Sequence, residues 1–170
     1  MPHDLQPPVT DDSNAALLIA MLEDDTRNWR GDLDAVPDEA IYWQPYPDSH
    51  SIGAILLHIA DAEAYWLHQV LTGVPLSEET KQLLMSDEVE QFAGKWGTPP
   101  KQPLAWYYEQ QDKVRKQTLE NLKAHSDPSA LYGERQFTLR WLLHHVITHE
   151  AYHAGQVSLL LSQYRALNSL

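Results

Sequence analysis

Apolar side chains return every three or four positions along four stretches of this chain, the spacing that paints one face of an α-helix. The first stretch runs from about Ser13 to Leu33, with Leu17, Leu18, Met21, Leu22 and Trp29 in register. It halts in the breaker cluster between Gly31 and Pro37. The second begins at Ser49 or Ser51, either of which offers the hydroxyl of an N-cap. It continues to about Leu71, where Gly73 and Pro75 close it. The third spans about Pro103 to Lys123, and the fourth about Thr138 to Arg165 with Thr138 as its N-cap. No stretch carries a strand's two-residue alternation over a convincing length.

The connections refine this outline. DEAIYWQPYPDSH, with its prolines and aromatics, reads as an ordered loop packed on the core. SEETKQLLMSDEVEQFAGKW reads as one or two short helices, closed by Gly97, Pro99 and Pro100, and HSDPSALYGERQ as an irregular crossover. The expectation is an all-α fold: a four-helix bundle with an irregular, partly helical connection between the second and third helices. Residues 1–12 are expected to form a disordered tail and residues 13–170 a single domain.

Placing the side chains at about 100° per residue puts Leu142, His145, Val146, His149, His153, Gln156 and Leu160 in one stripe of the fourth helix, with His144 pointing away. His149 and His153 stand four apart, so both imidazoles can grip one metal ion from the same face. The pair needs a ligand from elsewhere. His58 is the best candidate, lying among Ser51, Ala54, Ile55, Ala62 and Tyr65 on the second helix. A lone histidine on an apolar face is ordinarily a satisfied core residue. Several facing one core leave many buried nitrogens, which a metal satisfies. Three imidazoles with open coordination positions describe a reactive site rather than a closed structural one.

Neighbouring groups receive weaker assignments. His145 stands two turns, about 12 Å of axis, from His153, and is placed beside the site as a substrate-facing group or a packed core residue. Asp61, at the edge of the His58 face, is a candidate to orient that ring or to accept a hydrogen bond from water at the ion. Gln156 is a candidate to orient a ligand or to pack between helices. Tyr65 and Tyr152 offer donors near the ion or fill the core. Trp66, Trp106 and Trp141 are read as core, and no general base is assigned. Leu143, Ile147 and Leu161, on the far side of the fourth helix, call for a second interface, within the bundle or across a dimer.

Composition narrows the function classes. A chain of 170 residues suits one domain, and its hydrophobic fraction of 43% fits a globular protein. No apolar run approaches the roughly 20 residues of a membrane span. The polar, proline-rich N-terminus lacks a secretory signal's pattern, which makes the cytoplasm the default compartment. The net charge of −12, with twelve unclustered Lys and Arg, argues against nucleic acid and anionic membranes. With no cysteine, there is neither a thiolate ligand nor a sulfur nucleophile in the protein itself.

Two motif readings compete. HEAYH, residues 149–153, matches the zinc-hydrolase pattern H-E-x-x-H, in which Glu150 would be the general base. A metzincin extension fails, because Gln156 and Leu159 stand where glycine and the third histidine belong, and residues 154–170 contain no acidic ligand. The second reading covers about residues 13 to 165. WQPYPDSHSIGAILLHIADAEAYW, followed about ninety residues later by TLRWLLHHVITHEAYHAGQVSLLL, resembles the DinB-like (DinB/YfiT-like) metalloenzyme superfamily. The shared features are an aromatic-proline loop, a serine-initiated helix with SIG and a histidine, and a late H-x3-H-x-GQ. One departure is Ala154, where many members carry a basic residue before the glycine.

That resemblance implies a four-helix bundle, usually a homodimer, with one divalent metal (Zn, Ni, Fe, Co or Mn) held by His58, His149 and His153. It further implies a thiol S-transferase, whose partners are a low-molecular-weight thiol such as bacillithiol or mycothiol and an electrophilic substrate. A metal-binding or stress-induced interaction protein without catalysis remains the alternative, and an HExxH hydrolase the lesser one.

Overall fold

The computed structural model describes residues 14–33, 35–90, 94–125, 127 and 130–168. The expected N-terminal tail lies outside the described residues. Four long helical stretches build the bundle: α1 (Asn14–Asp32), α3 (Ile52–Ala64) continued by a π-helical segment (Tyr65–Val70), α5 (Leu104–Ala124) and α6 (Leu139–Asn168). Helix α1 packs on α6, while α3 packs on both α5 and α6. Of the two serines that offered a cap, Ser51 starts α3: its hydroxyl accepts from the Ala54 amide at 3.3 Å. Thr138 caps α6 by accepting from the Trp141 amide at 3.2 Å.

The connections are more structured than their composition suggests. The expected ordered loop contains a short helix, α2 (Asp38–Tyr42), with Ala40 and Ile41 buried. Between α3 and α5 lie α4 (Glu78–Leu84) and an antiparallel pair, β1 (Val89–Glu90) and β2 (Lys95–Trp96). A second pair, β3 (Leu131–Tyr132) and β4 (Phe137–Thr138), lies in the crossover before α6. These strands correct the expectation of none. Two residues apiece are too few to show an alternation.

Gly53, in the SIG sequence, is where α3 crosses α5. A β-carbon there would lie 2.8 Å from the Tyr107 hydroxyl and 3.0 Å from Pro99, so only glycine permits this approach. The Tyr107 hydroxyl donates to the Pro100 carbonyl and fixes the ring against α3.

Two apolar layers fill the bundle. One gathers Ala15, Ile19 and Leu22 of α1 with Leu67, Leu122, Leu142, Leu143 and Val146. The other gathers Trp29, Ile55, Leu56, Tyr107 and Val114 with Val157, Leu160 and Leu161. Leu143 is 0% and Leu161 3% exposed, and Ile147 packs against the first layer. The second interface of α6 therefore lies inside the bundle, largely against α1. Along α1 and α6 the two layers are separated by Thr26 and by His149 and Glu150, so polar groups occupy the middle of the bundle.

Candidate metal centre

The first half of this polar middle is the histidine cluster. Helix α3 presents His58, and α6 presents His149 and His153 from consecutive turns. The ring centroids of His58 lie 4.9 Å from His149 and 4.8 Å from His153, and those of His149 and His153 are 4.4 Å apart. One nitrogen from each ring falls within 4.8 Å of the others. That spread is comparable to the span of three nitrogens held about 2 Å from one ion. Asp61 is not among the converging donors; its carboxylate accepts from the Ser86 hydroxyl.

Protonation favours ligation. Burial pushes the His58 pKa down to about 4, helped by the neighbouring charges of His153 and His50. Burial likewise pushes His149 down to about 3, with His153, His58 and His145 adding to it. His153 is lowered by burial too, against an opposing hydrogen bond to Gln156. At neutral pH all three rings are uncharged and keep a lone pair. Gln156 Oε1 lies 2.7 Å from Nδ1 of His153. An amide oxygen only accepts, so Nδ1 carries the proton and Nε2 is left as the donor atom. His58 Nε2 is buried with no hydrogen-bond partner. A ring with an orphaned buried nitrogen, gathered with two neutral imidazoles, fits a divalent metal site.

Two aromatic groups flank the cluster. On one side Trp96 of β2 meets His58 edge-on at 5.2 Å, and the His50 ring lies on Trp96 at 4.4 Å. Neither His50 nor Trp96 is apparent from helical spacing, because both sit outside the long helices. A histidine directly before the α3 cap was the available signal. On the other side His145 lies 6.0 Å from His149 and stacks on Trp141 at 4.9 Å, with Trp66 against its edge. Trp141, expected in the core, is 38% exposed. Tyr65 and Tyr152 are exposed rather than core. A helix surface beside a site need not be covered.

The second half of the polar middle lies across α6. Glu150 is turned into the bundle, where one carboxylate oxygen accepts from Thr26 and from Trp29 Nε1 (2.8 Å) and the other from Arg115 at 3.0 Å. Arg115 also grips Glu63 through two nitrogens at 2.8 and 2.9 Å. The network ties α1, α3, α5 and α6 together. Glu150 is thus committed to the core on the side away from the imidazoles, where it cannot serve as the general base of an HExxH hydrolase. The network went unseen in the sequence, since it joins five residues on four helices.

An all-α bundle that gathers three neutral imidazoles from two facing helices is a metal-site bundle of the DinB/YfiT-like class. The family model described as mycothiol-S-transferase matches residues 17–166, and the chain belongs to that family. No curated protein matches the chain. The family indicates a thiol S-transferase, in agreement with the histidine cluster. No described helix is long and apolar enough to cross a membrane.

Proposed function

We propose that the protein is a divalent-metal-dependent S-transferase that joins a low-molecular-weight thiol, mycothiol by family, to an electrophile, with the metal held by His58, His149 and His153. The observation that carries this reading is the convergence of His58, whose buried Nε2 has no hydrogen-bond partner, with two uncharged imidazoles, in a chain of this family. A bound divalent ion supplies the Lewis acidity that brings a thiol's pKa toward neutrality. The chain's own residues do the rest. Gln156 holds the His153 tautomer, Trp96 walls one side of the cluster, and burial keeps the three rings deprotonated. In the reaction the thiol sulfur forms the new bond, the electrophile's leaving group departs with its bonding pair, and the thiol proton passes to solvent. The sulfur comes from the cosubstrate, since the chain has no cysteine.

Zinc and nickel are the first ions to test, because imidazole suits both. Large negative charge supports a small-molecule role over nucleic-acid or membrane binding, the superfamily supports a homodimer, and the cytoplasm is the compartment proposed. The test is elemental analysis of tag-free protein beside His149→Ala, both shown to be folded by circular dichroism. About one ion per chain, lost in the variant, is expected, followed by metal-dependent conjugation of mycothiol. A wild type that takes up neither zinc nor nickel on reconstitution would remove the metal-dependent reading.

A further inference from the structure

Five rings stand at four-residue intervals on one line: Phe137 in β4, then Trp141, His145, His149 and His153 along α6. Successive centroids are 4.3, 4.9, 6.0 and 4.4 Å apart. The line begins at a partly exposed end and finishes at a buried one: Trp141 is 38% exposed and His153 only 5%. Across from it, the π-helical segment opens with Tyr65 and Trp66. Trp66 meets Phe137, Trp141 and His145 edge-on at 5.3, 5.3 and 4.8 Å, and Tyr65 meets Trp66 at 5.0 Å while 43% exposed. A wide π-helical turn of this kind recurs at functional sites. Here it follows His58 by two turns on the same helix.

We infer that this aromatic strip is the acceptor subsite of the S-transferase, and that it selects a neutral electrophile carrying an aromatic ring. The inference rests on the reading of the histidine cluster as the place of reaction. Its independent ground is the strip itself, a run of aromatic surface contiguous with His149 and left partly uncovered. The strip contains no Lys, Arg, Asp or Glu side chain, in a chain with 36 of them, so it offers no full charge to pair with an ionic substrate. The orientation of the rings separates the acceptor from the thiol. Sugars of a glycosylated thiol would stack on a free indole face, but the Trp141 ring is already stacked with both Phe137, at 21°, and His145, at 9°. Even so, Trp141 stays 38% exposed. Aromatic edges carry the positive side of the ring quadrupole and pack against the face of another ring. An aromatic acceptor lying against Trp141 and Tyr65 therefore has its reactive end directed along the strip toward His149.

The probe is 1,3-dinitrobenzene, which is neutral, planar and without a leaving group, measured by equilibrium dialysis against the metal-loaded full chain. Because no turnover is read, the result does not depend on the transferase reaction being observed. Saturable binding to the wild type should weaken roughly threefold to tenfold in Trp141→Leu and in Tyr65→Ala, the loss of one aromatic contact. Leu159→Ala, which removes an exposed apolar group elsewhere on α6, should bind as the wild type does. Tyr65 is largely exposed, so its variant keeps the test sound if Trp141→Leu melts early. Binding equal in all four proteins, or none in the wild type, overturns the subsite. So does a Trp141→Leu defect confined to mycothiol, which would assign the strip to the thiol. Conversion of a dimer to a monomer by Trp141→Leu, with no dinitrobenzene bound, would assign it to a second copy.

Discussion

Taking an imidazole out of water penalises its charged form, and in His58 and His149 neighbouring imidazoles compound the penalty. The unfolded rings titrate near their ordinary value of 6.5, and the folded ones at about 4 and about 3. Between those limits the unfolded chain binds more protons, so these rings stabilise the fold above the unfolded pKa and lose that contribution as pH falls toward the folded one. Buried Asp61 and Glu150, both raised by desolvation, act in the opposite sense. A comparison isolates the histidines. Metal-free wild type should lose more thermal stability between about pH 7 and about pH 5 than metal-free His149→Ala does. Equal losses in parallel melts would refute the assigned protonation. The three imidazoles were legible in the sequence because each falls on a helical stripe whose phase is set by its apolar neighbours. His50 and Arg115 were not: one sits in a loop without periodicity, and the other is an ordinary basic residue until folding sets it beside Glu63 and Glu150.

Helix α3 shows what periodicity conveys about an element. Its start follows from Ser51, and the end of the continuous helix, past the π-helical segment, from the Gly73–Pro75 stop. The widened turn at Tyr65–Val70 does not, because π and α turns draw on the same residues. The two small strand pairs were invisible for want of length, and they include Trp96, one wall of the site. The contact at Gly53 sets how closely α3 approaches α5. Gly53→Ala should cost roughly 1–3 kcal/mol by overpacking against Tyr107 and Pro99. In a chain of this size that lowers the melting temperature by about 2–4 °C per kcal/mol. An unchanged melting temperature would mean that the helices separate freely there.

Across the whole molecule, the polar middle couples stability to the site. Glu63 and Glu150 are 4% and 2% exposed, so their charges depend on Arg115. Arg115→Met should destabilise by roughly 3–5 kcal/mol, read from urea unfolding midpoints, because it strands two buried carboxylates. Replacing Arg115, Glu63 and Glu150 together with apolar residues should recover much of that loss. If the single variant costs no more than an exposed ion pair, the network is not the clasp of the bundle. The same arrangement bears on redesign. HEAYH spells a hydrolase motif, yet bringing Glu150 round to the imidazoles would mean turning α6 by about 100°, which would detach Thr26, Trp29 and Arg115 and swing His149 and His153 off His58. A protease cannot be reached from this scaffold by supplying a missing ligand. Adjacent letters of one motif are answerable to different halves of the protein, and neither can be moved alone.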